Sequence, residues 1–315
     1  MTRMIAVVGA LLLGSWVIAS AANTEGGAYE VIYNASGFGV DIPGAADASK
    51  NIREVSIDEL NIDVREMTTG LDVEYRLYGP GAAHWGSAKF TSACTRRGSK
   101  ELQAWWSEAA KGKGIRKTIT VTLFKSDKSP GRTYTLVDAR PVDLSECIWS
   151  GQEMVRTITV RPRRIEFGSR KDATSPSKPP SGAWFRLEVG QPNGPLVPDD
   201  SWEMAVGGAK SHEDPPLVIG KLDPNADATA HTSCTDLMLR GPMTDSRGWL
   251  TAWLNDTVLK KSWQRDLYIT PPGTGAYAFR DGFPVRYVFP RMSVTNTTGN
   301  TMEEVVIRPI RCELK

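Results

Sequence analysis

The chain is poor in histidine and cysteine and has no strong charge of either sign. Only His84, His212 and His231 occur in 315 residues, so few side chains can move protons near neutral pH. Cys94, Cys147, Cys234 and Cys312 show no CxxC spacing and no close histidine pair, which argues against zinc. A formal net charge of +2, with the signs interspersed, provides no basic field for nucleic acid. The G-x-S-x-G, HExxH and P-loop patterns are missing, and no GxGxxG stands in a strand–turn–helix setting. After the first 21 residues no apolar run is long enough to span a bilayer. The expectation is a protein with no enzymatic activity, no cofactor and no metal.

The chain begins with a basic Arg3, an apolar run over residues 4–18 and the small-x-small site Ala19-Ser20-Ala21. Residues 1–21 therefore read as a signal peptide. The alternative is an anchor that is not cleaved. The mature protein is expected to be exported (periplasmic, cell-surface or extracellular) and free of the membrane after cleavage. In an oxidising compartment, four cysteines split two and two read as one disulfide in each half. Of the three possible connectivities, Cys94–Cys147 and Cys234–Cys312 is preferred.

One unusual phrase occurs twice. Residues 159–167 read TVRPRRIEF and residues 306–314 read VIRPIRCEL. Leu102-Gln103-Ala104-Trp105-Trp106 aligns with Leu250-Thr251-Ala252-Trp253-Leu254, and Asp138-Ala139-Arg140-Pro141-Val142 aligns with Asp281-Gly282-Phe283-Pro284-Val285. Order and spacing are kept, which points to two tandem copies of one domain. The expected boundaries are 22–167 and 183–315, joined by a Pro/Ser-rich linker over 168–182.

Within each copy the pattern predicts strands around one short helix. Residues 119–124, 134–137 and 155–160 alternate as strands do, as do 267–270, 277–280 and 305–307. The helices are expected to start after a cap at Ser99 and at Thr244 or Asp245. Trp105 and Trp253 lie on their apolar stripes and read as core. At Arg161-Pro162 and Arg308-Pro309 the apolar parity flips, as a bent final strand requires. The RP phrase thus reads as structural.

Other candidates are weaker. Asp58, Glu59, Asp63 and Glu66 form an acidic cluster that a hydrolase could use, but their alternation with apolar residues fits a solvated strand face. Arg161, Arg163, Arg164, Arg308 and Arg311 could hold an anion or form surface salt bridges. Residues 77–86, which include Tyr78-Gly79-Pro80-Gly81, and residues 217–230 read as long irregular loops that act as intersubunit arms.

The order of strands, loop, strand, short helix and final strands resembles the tube subunits of contractile phage tails and the related Hcp ring proteins. The passage over residues 235–253 (TDLMLRGPMTDSRGWLTAW) carries the resemblance best, and residues 86–106 carry a weaker form. Tyr78-Gly79-Pro80-Gly81 stands where the family has a Pro-Gly loop, and Pro141 and Pro284 resemble the proline of its late strand. The resemblance implies a mainly β fold: two tandem tail-tube-like β-barrel or sandwich domains with one short helix each. It also implies assembly with other copies of the chain, as a homotrimeric pseudo-hexameric ring or stacked rings, with an envelope or tube-associated protein as a possible further partner. The competing reading is a monomeric, secreted binding or adhesion module that uses exposed Trp85, Trp149, Trp184, Trp202 and Trp263.

Overall fold

The computed structural model describes residues 37–67, 77–125, 127–168, 186–190, 197–198, 202–206, 236–244, 247–270, 277–295 and 301–314. The leader, residues 169–182 of the expected linker, residues 217–230, Cys234 and Trp184 lie outside them.

Alternating apolar residues build most of the chain as antiparallel strands. In chain order the first half contains β1 (Phe38–Asp41), α1 (Ala46–Lys50), β2 (Ile52–Ile57), β3 (Leu60–Met67), β4 (Leu77–Trp85), β5 (Ala88–Ala93) and α2 (Arg96–Ala110). It continues with β6 (Lys117–Phe124), β7 (Pro130–Leu144), β8 (Ile148–Ser150), β9 (Glu153–Arg161) and β10 (Arg164–Gly168). The second half contains β11 (Arg186–Val189), β12 (Val197–Pro198), β13 (Glu203–Val206), β14 (Leu237–Pro242), α3 (Gly248–Val258) and β15 (Arg265–Thr270). It ends with β16 (Tyr277–Val288), β17 (Met292–Ser293), β18 (Met302–Arg308) and β19 (Arg311–Leu314). The fold is mainly β, a sandwich of antiparallel sheets.

The two sheets run in matching order. One reads β1-β6-β7-β9-β5-β2-β17, and the other β12-β11-β15-β16-β18-β14-β13. In each, one long strand turns the corner of the sandwich. Asp138 in β7 and Asp281 in β16 take positive φ, at 53° and 54°, a conformation that aspartate tolerates better than most residues. Each stands where the register with the preceding strand shifts, as a bulge does. Beyond the bulge β7 leaves β6 for β9, and β16 leaves β15 for β18.

The last strand of each half breaks at its Arg-Pro pair. β9 ends at Arg161 and β10 starts at Arg164, with Pro162 buried between them. Ile158 and Val160 face the core before the break, and Ile165 and Phe167 after it.

The structure differs from expectation at several places. The first half has a second helix, α1, whose five residues are too few to show a helical period. The cap of α2 is Thr95, whose hydroxyl accepts from the Gly98 N–H at 3.1 Å, so the helix starts ahead of Ser99. The N-cap of α3 is Arg247, three residues beyond Thr244. Residues 77–85, expected as a loop, form β4 and pair with β3 on both sides of a register shift between Ile62 and Val64. Gly81 has a steric reason: a Cβ there would meet Asp63 Cβ at 2.7 Å and the Asp63 carbonyl oxygen at 3.0 Å. The composition that reads as a loop is what lets β4 press against β3.

Candidate assembly interface

No compact chemical centre forms among the described residues. Among the described residues no three of His, Cys, Asp and Glu come together as metal ligands would. His84 faces Asp63 at 2.9 Å on an exposed surface. In the acidic cluster, Asp58 accepts from the Ser87 N–H, while Asp63 and Glu66 point to solvent from β3. No described helix is long and apolar enough to cross a membrane.

The expected structural residues are distributed through the fold. Cys94 and Cys147 form a disulfide that ties the start of α2 to the chain before β8. Cys312 lies in β19. Trp105 and Trp253 are buried. Pro141 pairs with Val160 and Pro284 with Ile307, each just before a register shift. Pro309 is buried beyond β18, and Arg308 forms a bidentate pair with Asp236 at 2.7 and 2.6 Å. Arg161 is exposed, whereas Arg163 and Arg164 pair with Asp138 and Glu166. Of the tryptophans offered for surface binding, Trp202 is buried against Arg247, its ring 3.6 Å from the guanidinium carbon. Trp149 is exposed.

The densest chemistry lies where the halves meet. Their buried side chains form one continuous core. Arg132 of β7 donates to Glu303 Oε2 of β18 and, at 3.2 Å, to the Thr244 carbonyl. Arg247 donates to the other carboxylate oxygen at 3.1 Å, and the Tyr287 hydroxyl donates to Oε2 at 3.0 Å. All four side chains are buried, and a buried charge is tolerated only when paired in this way. The Tyr134 hydroxyl lies 3.3 Å from that of Tyr287. Burial, with the nearby Glu303 charge adding to it, pushes Tyr134 up to about 12. Tyr287 is raised well above its ordinary value, burial again being the largest cause. Around these groups Tyr134, Phe167, Tyr287 and Phe289 pack edge to face or stacked, with centroids 5.0–6.0 Å apart.

Backbone contacts add to the junction. Asn255 of α3 accepts from the Phe167 N–H at 3.3 Å and donates to its carbonyl at 2.8 Å. β17 pairs with β2, setting Met292 opposite Val55. β3 pairs with β16, setting Leu60 opposite Tyr287 and Asn61 opposite Arg286. Arg291–Glu54 and Arg286–Glu59 close at 2.6 and 2.7 Å.

Sequence reading missed the buried ion cluster, although strand parity carried the signal. Arg132 shares the parity of the buried Tyr134 and Leu136, and Glu303 that of the buried Val305 and Ile307. Opposite charges on two core-facing parities predict each other as partners.

The family model described as the T4-like virus tail tube protein gp19 matches residues 34–151. The match spans Tyr78–Gly81, residues 86–106 and Pro141, and so falls on the half that carries the weaker form of the resemblance. No curated protein matches. Among solved structures, the tube-terminating cap of the anti-feeding prophage is 16% identical, covering 48% of this chain and 99% of that one, with a TM-score of 0.37. A sheath–tube complex of an extracellular contractile injection system (PVC, extended state) gives 19%, 43%, 90% and 0.34 in the same order. Hcp1 from Flavobacterium johnsoniae gives 19%, 42%, 95% and 0.26.

Proposed function

We propose that this tail-tube-like chain is an exported, non-enzymatic structural protein of two tandem tail-tube-like domains, three copies of which close into a pseudo-hexameric ring able to stack as a tubule. The observation that carries the reading is the direction of the contact between the halves. The second half lays β17 on the outer edge of β2, and the first half lays β3 on β16. Among the described residues no strand pair runs the opposite way. Such a contact between unlike surfaces of like units is heterologous, and leaves one surface of each kind at the two ends of the chain. Head-to-tail units either close into a ring or extend as a filament. Closure covers the strand edges that would otherwise recruit other chains.

In this reading the domains span 22–167 and 183–315, and the partner is first of all the chain itself. The experiment is light scattering of the chain spanning residues 22–315, followed by negative-stain imaging. A mass of three chains with a central hole supports the ring. A monomer at every concentration discards it and favours the secreted binding module, for which exposed Trp149 is the specific observation.

A further inference from the structure

We infer that the edge formed by the end of β7 and by β8 is a docking surface for a second copy of this chain, with Trp149 as its anchor and β13 of the neighbour as its seat. The inference rests on the ring reading and gives that ring its contact surface.

Asp138 and Asp281, the two bulge residues at positive φ, fix the comparison. Trp149 and Met292 are each the eleventh residue beyond them. Met292 lies on the junction between the halves, opposite Val55 of β2 and 0% exposed. Trp149, at the corresponding place in the first half, is 72% exposed, and its neighbour Ile148 is 59% exposed. β8 pairs with β9 on one side, and among the described residues its outer edge is open. Asp143 and Leu144 likewise stand at the places of Arg286 and Tyr287. Arg286 and Tyr287 receive β3. Asp143 and Leu144 pair with β9 on one side, and with no strand on the other among the described residues.

The seat is defined by the same correspondence. β2 carries β17 on the edge away from β5. β13 holds the place of β2 in the other sheet, with Met204 opposite Leu239 where β2 sets Val55 opposite Phe90. Among the described residues β13 is the last strand of its sheet. Repeating the in-chain register places Trp149 at position 204 and Ser150 at position 203 of the neighbour. An exposed tryptophan on an open strand edge is an aggregation liability when left bare and a strong anchor when covered.

The test uses the chain spanning residues 22–315. Trp149→Arg is expected to raise the concentration for half-assembly at least about tenfold, with the thermal midpoint unchanged when both proteins are diluted below assembly, because the residue lies outside the core. Ser150→Cys combined with Glu203→Cys is expected to give a covalent ladder ending at the trimer on oxidation. Ser293→Cys with Glu54→Cys, the in-chain counterpart, gives no interchain band. If the wild type assembles while Trp149→Arg assembles equally well and no ladder forms, the inference is overturned and the ring reading stands. A wild type that stays monomeric overturns both. A monomer whose Trp149 emission shifts on adding envelope glycan assigns the surface to glycan and also overturns the inference.

Discussion

Arg132 and Glu303 lie 171 residues apart in the chain and meet as a buried ion pair, the carboxylate held from its other side by Arg247. Removing the carboxylate leaves two guanidinium groups without it in a dry core. Glu303→Ala is expected to destabilise the protein by about 3–5 kcal/mol, the usual cost of breaking a buried pair from one side. Because the pair joins the two halves, the loss should appear as a lower denaturant midpoint of one cooperative transition. A midpoint unchanged within error would mean that water reaches the cluster.

Tyr134 and Tyr287 give the same junction an alkaline limit. Their folded pKa values are raised above the ordinary value, Tyr134 to about 12. A raised folded pKa contributes stability that is fully present below the unfolded value near 10. It is then lost as pH climbs toward the folded value. Between about pH 10 and 12 Tyr134 should lower stability by roughly 1.4 kcal/mol per pH unit, and Tyr287, raised in the same direction, should add to the loss above its ordinary value. Tyrosinate absorbance should show two groups that ionise only as the protein unfolds, and Tyr287→Phe should reduce that number to one. Smooth titration of every tyrosine in the folded state would contradict the burial.

Local pattern made the mainly β class and the buried Trp105 and Trp253 legible, because each depends on parity or helical spacing, and left the Cys94–Cys147 bond as the preferred one of three connectivities. β4 was not legible. Its Gly79-Pro80-Gly81 carries a loop composition, and the reason for Gly81, the close approach of Asp63, exists only once β3 lies alongside. The pairing of β3 with β16 and of β17 with β2 joins segments that share no local signal. Ser99 and Thr95, four residues apart, satisfy the same capping rule in sequence, and only the Gly98 N–H decides between them.

The Cys94–Cys147 bond spans 53 residues. Loop-closure entropy for that span gives about 4 kcal/mol of stabilisation through the unfolded chain. The double variant Cys94→Ser/Cys147→Ser should therefore unfold at a markedly lower denaturant concentration, with folded-state circular dichroism unchanged. Reducing agent should lower the wild-type midpoint by at least the shift that the double variant shows. A stable, reductant-insensitive wild type would mean that the bond contributes little.

Trp105 and Trp253 support a matched pair of substitutions. Trp105 donates its indole N–H to the Ile115 carbonyl at 3.2 Å, and Trp253 donates to the Trp263 carbonyl at 2.6 Å, each ten residues onward. A cation twelve residues on lies over each ring: Lys117 at 5.2 Å from the Trp105 centroid and Arg265 at 5.6 Å from that of Trp253. Phenylalanine at either position removes the donor and about a third of the ring surface. The expected cost is about 0.5–1.5 kcal/mol for the lost hydrogen bond, with the lost contacts added to it. Trp253, the more deeply buried of the two, should be the more costly. Since both indoles brace one continuous core, each variant should shift the whole unfolding transition. Two resolved transitions, each moved by only one of the substitutions, would show that the halves unfold independently.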